Sequence, residues 1–353
     1  MLKLDKLRQA LQEQALDGLL VTNEFNRRYM TGFTGTAGVA LITKEDAVFI
    51  TDFRYTSQAA DQVKDFRIVQ HDGSIIKEVA TQAQNMGVKT LGFEKEAMTF
   101  GTYEQYKESL SSQFVPTSGI IEKIRLIKTP QEITIIKAAC AIADDAFTHI
   151  LDFIKPGKTE LEVANELEFF MRKQGATSSS FDTIVASGLR SALPHGVATD
   201  KVIEKGDFVT LDYGALYNGY ISDMTRTIAV GQPSEKLVDM YNAVLGSQLL
   251  ALEKVGPNMT GKEADAVARD YLTAKGYGEA FGHSLGHGIG LEVHEAPSLS
   301  VRGETVLEPN MTVTLEPGVY LPGIGGVRIE DDILITATGN EKLTHSTKEL
   351  IIL

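Results

Sequence analysis

Near the start of the chain, Leu4, Leu7 and Leu11 recur at three- and four-residue steps among charged and amide side chains. That spacing predicts an amphipathic helix, with Gly18 placed as its C′ residue. The period then changes. Leu19-Leu20-Val21, Val39-Ala40-Leu41-Ile42 and Ala47-Val48-Phe49-Ile50 are short apolar runs bounded by turn residues, the pattern of strands. Helical spacing returns around 56–64 and 74–86, and another apolar stretch follows at Thr90-Leu91-Gly92-Phe93. This alternation predicts an α/β N-terminal domain. The segment Gly32-Phe33-Thr34-Gly35-Thr36-Ala37-Gly38 is rich in glycine, but it is not GxGxxG and no Gly-Lys-Ser/Thr follows, so it reads as a structural turn.

A boundary falls near 123–129, giving an N-terminal domain over 1–125 and a second domain over 126–353. Thr129-Pro130-Gln131-Glu132 supplies an N-cap, a proline at the first helical position and Glu at N3. Ile133, Ile136, Ala139, Ala143, Phe147 and Ile150 then predict a long helix ending before Pro156-Gly157. The second domain carries a weak repeat. Thr159 with Glu162 and Thr260 with Glu263 form capping boxes 101 residues apart, each followed by a glycine 16 residues after the Thr. Val209-Thr210-Leu211-Asp212-Tyr213-Gly214 resembles Val313-Thr314-Leu315-Glu316-Pro317-Gly318 at an offset of 104, and His294 follows His195 by 99. Two α+β halves packed about a pseudo-twofold axis are expected, each supplying a strand with one acid.

The net charge of −13 argues against nucleic acid and anionic membranes as partners. No stretch approaches the roughly 18 apolar residues of a membrane span. The opening Met1-Leu2-Lys3-Leu4-Asp5-Lys6-Leu7 has no continuous apolar run of the kind a secretory leader needs. The single cysteine, Cys140, lies in an apolar run and reads as buried packing in a reducing compartment, so a cytoplasmic location is expected.

The chemistry lies in the acids and histidines. Tyr217-Asn218-Gly219-Tyr220 is a two-residue hairpin turn that pairs Asp212 with Thr225 and Gly214 with Asp223. Asp212 and Asp223 then share a face as diagonal neighbours, roughly 7–8 Å apart at the backbone. Glu330 is 14 residues after Glu316, which is compatible with a shared face across the glycine-rich turn at 322–326. Between the pairs lies Phe281-Gly282-His283-Ser284-Leu285-Gly286-His287-Gly288-Ile289-Gly290-Leu291-Glu292-Val293-His294. Its glycines argue for an irregular strand that admits close approach of another group, not for a helical zinc pair. His71, His149 and His345 read as structural. Four carboxylates and one imidazole form a hard, oxygen-rich donor set sized for two cations. It suits Mn2+ best, then Co2+ or Fe2+, and Zn2+ less.

Leu211-Asp212-Tyr213-Gly214, Ser222-Asp223-Met224-Thr225-Arg226-Thr227, His283-Ser284-Leu285-Gly286-His287-Gly288-Ile289-Gly290, Leu315-Glu316-Pro317-Gly318 and Arg328-Ile329-Glu330-Asp331 closely resemble the pita-bread metallopeptidases. These include proline dipeptidase (prolidase), aminopeptidase P and methionine aminopeptidase. The resemblance covers nearly the whole chain. It implies a creatinase-type N-terminal domain, a catalytic pita-bread domain, and two metals held by Asp212, Asp223, His287, Glu316 and Glu330, with Asp223 and Glu330 bridging. It further implies that His195, His283 and His294 line the substrate site. Thr31-Gly32-Phe33-Thr34-Gly35 and Thr51-Asp52-Phe53-Arg54-Tyr55 look more like aminopeptidase P, whereas the overall length is closer to small bacterial prolidases.

The expected activity is hydrolysis of the Xaa-Pro bond at the N-terminus of small peptides by a hydroxide bridging the two ions. Glu316 is expected to move a proton to the leaving nitrogen, with His283, His195 and His294 acting on substrate. Arg328 either holds a metal carboxylate or pairs with substrate carboxylate. Tripeptides are expected to be cleaved as well as dipeptides; the alternative is a strict dipeptidase. A metal-free creatinase-like amidinohydrolase and a non-enzymatic binding protein on the same fold are the rivals. A homodimer is expected.

Overall fold

The structure, a computed structural model, describes residues 3–353 and divides into two compact units, one up to Arg125 and one from Leu126. Met1 and Leu2, part of the stretch read as lacking a leader, lie outside the described residues. No helix among the described residues is long and apolar enough to cross a membrane.

The first unit is a six-stranded mixed sheet flanked by helices. Its strand order is Arg67–Gln70, Ala47–Thr51, Val39–Thr43, Gly18–Val21, Thr90–Glu94, Gln113–Thr117. The apolar runs occupy the central strands, buried on both faces. The opening helix, Lys3–Glu13, buries Leu7 and Leu11 as its spacing predicts. Gly18 does not cap it. Ala15 takes the left-handed conformation (φ 54°) instead, and Gly18 begins a strand where a Cβ would stand 3.0 Å from the Ile42 carbonyl oxygen. The 32–38 segment is a turn clasped by Arg27, whose Nη1 and Nη2 donate to Gly38 O (2.9 Å) and Gly35 O (2.8 Å).

The second unit repeats itself. In the first half, helices Pro130–Phe153 and Glu160–Lys173 pack on strands Ile184–Ser187, Phe208–Tyr213 and Met224–Ala229 through Phe147, Leu167, Leu211 and Ile228. In the second, helices Glu235–Lys254 and Gly261–Ala274 pack on Gly286–Gly288, Thr312–Leu315 and Asp331–Ile335 through Val244, Leu272, Leu315 and Ile333. Both short helices open with a complete capping box, at Thr159 and at Thr260, and both are 14 residues long.

The hydrogen bonds around them repeat pairwise. Glu160 N to Lys201 O matches Gly261 N to Thr305 O, and Leu161 N to Thr199 O matches Lys262 N to Gly303 O. The helix residues are offset by 101 and their partners by 104 in both cases, so Asp212 and Glu316 are equivalent. The return strands carry an offset of 105, since Val230 N to Asp207 O matches Ile335 N to Met311 O. Thr225 is therefore the equivalent of Glu330, and Asp223 the equivalent of Arg328. The second acid of each pair is not a duplicated feature.

The two capping boxes generate a test. Thr159→Ala and Thr260→Ala are each expected to lower stability by about 1 kcal/mol in urea unfolding. Gly214→Ala is expected to cost more, on the order of 3 kcal/mol, because its Cβ would lie 1.7 Å from the Ser222 carbonyl oxygen.

Candidate metal centre

Hairpin register places the first two acids. Asn218 (φ 48°) and Gly219 (φ 88°) both adopt the left-handed conformation that a tight primed turn requires. Tyr217 pairs with Tyr220, and the same register continues to Asp212 opposite Thr225. Asp223 therefore falls opposite Gly214, on the face of Asp212. In the second half, strands Gly318–Leu321 and Gly325–Arg328 keep the register of Thr312–Leu315 with Asp331–Ile335, which sets Glu316 opposite Glu330. The halves meet where Glu330 N donates to Thr225 O (3.1 Å) and Thr225 Oγ1 donates to Glu330 Oε2 (2.6 Å).

His287 enters from strand Gly286–Gly288, where a bulge follows it. Glycine is required on either side. A Cβ on Gly286 would lie 2.0 Å from Thr314 O, and one on Gly288 would lie 2.2 Å from Ala296 O. The imidazole Nε2 sits 3.2 Å from Glu316 Oε1 and 3.7 Å from Asp223 Oδ2. Ligand atoms of Asp223, His287 and Glu330 all lie within 4.8 Å of one another. All five residues line one cleft of about 680 Å³, with His195, His283, His294 and Arg328.

The electrostatics favour either protons or a cation at this cluster. Burial raises the carboxyl pKa of Asp223 well above the usual range, and the charges of Glu330 and Asp212 raise it further. Burial, then Glu316 and Asp212, do the same to Glu330. Asp212 is raised by burial despite Arg328. Burial also opposes ionisation of Glu316, but the hydrogen bond and charge of His287, then His283 and Arg328, hold it at about 2. Asp212 Oδ1 and Asp223 Oδ1 are buried with no hydrogen-bond partner. Bare carboxylate oxygens facing like charges are the signature of ligands, so the donor set fits divalent cations.

The surrounding residues hold these acids in place. Arg328, buried, donates from Nη2 to Asp212 Oδ2 (2.5 Å), from Nη1 to the Tyr320 hydroxyl (2.6 Å) and from Nε to Thr225 Oγ1 (3.1 Å). Each of its three nitrogens has a protein partner, one of them the Asp212 carboxylate. His283 Nδ1 lies 2.8 Å from Ser284 O and Nε2 2.9 Å from the Tyr320 hydroxyl, so both nitrogens are engaged. Burial lowers its pKa and keeps the ring neutral. Nδ1 then carries the proton, and Nε2 accepts from Tyr320. The His294 ring packs edge-on against His287 at 4.3 Å, and burial lowers its pKa too. Among the described residues, neither the His195 nor the His294 ring has a hydrogen-bond partner, although the His195 carbonyl accepts from Val197 N (2.9 Å).

Four residues at the centre were given no site role by the sequence reading: Tyr320, Thr225, Thr314 and Asp332. Thr314 Oγ1 donates to Glu316 Oε1 (3.1 Å) and accepts from His287 N (3.1 Å). Asp332 Oδ2 accepts from Asp223 N (2.9 Å) and from Cys140 Sγ (3.3 Å). Thr225 is two residues after Asp223, Thr314 two before Glu316 and Asp332 two after Glu330. Even spacing along a strand was the signal available for these three.

Residues 134–337 match metallopeptidase family M24, and residues 3–127 match the creatinase/prolidase N-terminal domain. A solved structure described as an Xaa-Pro dipeptidase from Bacillus anthracis is 64% identical, covers 99% of each chain and superposes with a TM-score of 0.98. The Xaa-Pro dipeptidase of Pyrococcus horikoshii is 43% identical over 99% of this chain and 98% of its own. A solved X-Pro aminopeptidase from Thermotoga maritima is 39% identical over 98% of this chain and 100% of its own, with a TM-score of 0.91.

Asp212→Asn and Glu330→Gln are each expected to weaken cation binding at least about 100-fold by calorimetry, with circular dichroism unchanged. Because burial and neighbouring carboxylates favour the protonated forms of Asp223 and Glu330, Mn2+ binding should release protons and weaken as pH falls. Calorimetry in buffers of different ionisation enthalpy reads this directly; a binding heat independent of buffer contradicts it.

Proposed function

The chain belongs to metallopeptidase family M24, and from that premise we propose that it hydrolyses Xaa-Pro bonds with two divalent cations, taking dipeptides as principal substrates. The observation that carries this reading is the buried ring of Asp212, Asp223, His287, Glu316 and Glu330 at the floor of a cleft that also presents His195 and His294. The choice of dipeptides follows the names of the relatives 64% and 43% identical. It departs from the expectation built on Thr51-Asp52-Phe53-Arg54-Tyr55. In that segment Arg54 turns back on Asp52 (2.8 Å), a local pairing that gives no measure of peptide length.

We assign Asp212, Asp223, His287, Glu316 and Glu330 to holding the cations, with Asp223 and Glu330 shared between them. Cations bound there supply Lewis-acid polarisation of the scissile carbonyl and a more acidic water. Mn2+ is the proposed metal, because four oxygen donors and one imidazole favour a hard ion. Arg328, through Asp212 and Thr225, keeps one acid of each half in register. Glu316 is assigned to the proton that reaches the proline nitrogen. His195 and His294, whose ring nitrogens have no protein partner, are free to donate to substrate oxygens. His283 reaches substrate by exchanging its Tyr320 hydroxyl.

We also propose that the domain boundary lies at 125/126, and that the protein is a cytoplasmic homodimer. A single buried thiol suits a reducing compartment, and light scattering checks the dimer.

Chelation is expected to abolish cleavage of Ala-Pro, and Mn2+ or Co2+ to restore it; full turnover by metal-free protein would refute the proposal. Ala-Pro should be cleaved at least about tenfold faster than Ala-Pro-Ala, and equal rates would restore the broader aminopeptidase reading. His195→Ala and His283→Ala should each lose about 100-fold or more in kcat/KM while binding Mn2+ as tightly as the parent.

A further inference from the structure

His195 stands on a loop that the chain must hold over the cleft without a strand to carry it. Residues 187–199 leave strand Ile184–Ser187, make the short helix Gly188–Ala192, pass Pro194 and His195 at the cleft and return at Thr199. Glu160 is the first residue of helix Glu160–Lys173 and is fully buried. Its carboxylate closes this loop at both ends. Oε1 accepts from Ser187 N (2.7 Å) and Ser187 Oγ (2.9 Å). Oε2 accepts from Thr199 N (3.1 Å) and Thr199 Oγ1 (2.8 Å). Arg190, from the middle of the loop, lies 3.4 Å from Oε2 and donates from Nη2 to Val197 O (2.9 Å). A buried carboxylate with four donors and a guanidinium is among the stronger local restraints a protein builds.

The internal repeat supplies a control. The residue equivalent to Glu160 in the second half is Gly261, and there the backbone of the matching segment packs directly against the helix start. A Cβ on Gly261 would lie 2.0 Å from the Ser298 carbonyl oxygen. The same helix start and the same flanking hydrogen bonds therefore form without a carboxylate. What Glu160 adds is confined to the loop that bears His195. Glu160 is absent from the described lining of the cleft and touches none of the five proposed cation ligands.

We propose that Glu160 is a positioning residue for His195: by tying Ser187 to Thr199 it fixes where that imidazole stands over the cleft. This rests on the reading of His195 as a group that contacts substrate.

The test uses the full-length, Mn2+-loaded protein. Glu160→Gln keeps the shape but replaces one acceptor oxygen by an NH2 group, which must face a donor. Amides of 188–198 are expected to exchange hydrogen about tenfold faster or more in this variant, with the strands of the cation site unchanged. The kcat/KM for Ala-Pro should fall on the order of 10- to 100-fold. In a His195→Ala background the same substitution should cost less than about twofold, because the two residues act as one unit. Mn2+ affinity by calorimetry should not change.

Unchanged exchange of the loop, a full additional loss in the His195→Ala background, or a loss of Mn2+ affinity would each overturn the proposal. If Glu160→Gln does not fold, Thr199→Val and Ser187→Ala each remove one side-chain donor and carry the same expectations. Failure of the parent protein to cleave Ala-Pro would strike the Xaa-Pro reading and leave the exchange measurement to decide the loop. A His195→Ala variant with parental turnover would remove the role assigned to His195, and with it that of Glu160.

Discussion

Four carboxylates are buried around one point, and the protein alone does not neutralise them. Asp212 and Asp223 come from one half of the second unit, Glu316 and Glu330 from the other. Arg328 compensates mainly Asp212, and His287 mainly Glu316. Asp223 faces the charges of Glu330 and Asp212, and Glu330 those of Glu316 and Asp212, with burial against both. Such an arrangement is unfavourable unless protons or cations enter it. The rest of the unit can be understood as the apparatus that holds this repulsion together: paired helices on each half, a hydroxyl from one half on a carboxylate of the other, and glycines where two backbones must approach.

Much of that was legible in sequence because it depends on short-range rules. The Asn218-Gly219 turn fixes a register, and register fixes which side chains share a face, so Asp212 opposite Thr225 follows from the residues alone. Capping boxes at Thr129, Thr159 and Thr260 mark helix starts for the same reason. Other features were not legible. Gly18 follows a leucine-patterned helix at a plausible capping distance, but tertiary contact with Ile42 decides its use. Helix Glu24–Thr31 and strand Arg67–Gln70 in the first unit carry weak apolar patterning, since the strand lies at a sheet edge and is only partly buried. The equivalence of Thr225 with Glu330 depends on a one-residue difference in offset that only paired hydrogen bonds reveal.

That difference shows how the two halves have diverged while keeping one frame. Where the second half places Glu330, the first places a threonine that donates to it. Where the first places Asp223, the second places Arg328, which reaches back to Asp212. Acid and base have been distributed so that each half completes the other, and neither half has the full donor set. Glu160 and Gly261 carry the same asymmetry out to the loops.

Cys140 gives this centre a chemical clock. Its thiol is fully buried beneath the site and donates to Asp332, whose other bond holds the backbone of Asp223. Burial and the nearby Asp332 raise its pKa, so the folded thiol is unreactive. An alkylating reagent can reach it only when the packing of helix Pro130–Phe153 around it opens. The labelling rate then measures how often that packing opens. Any ion that binds Asp223 should slow it, turning an inert side chain into a reporter of how tightly the two halves are clasped.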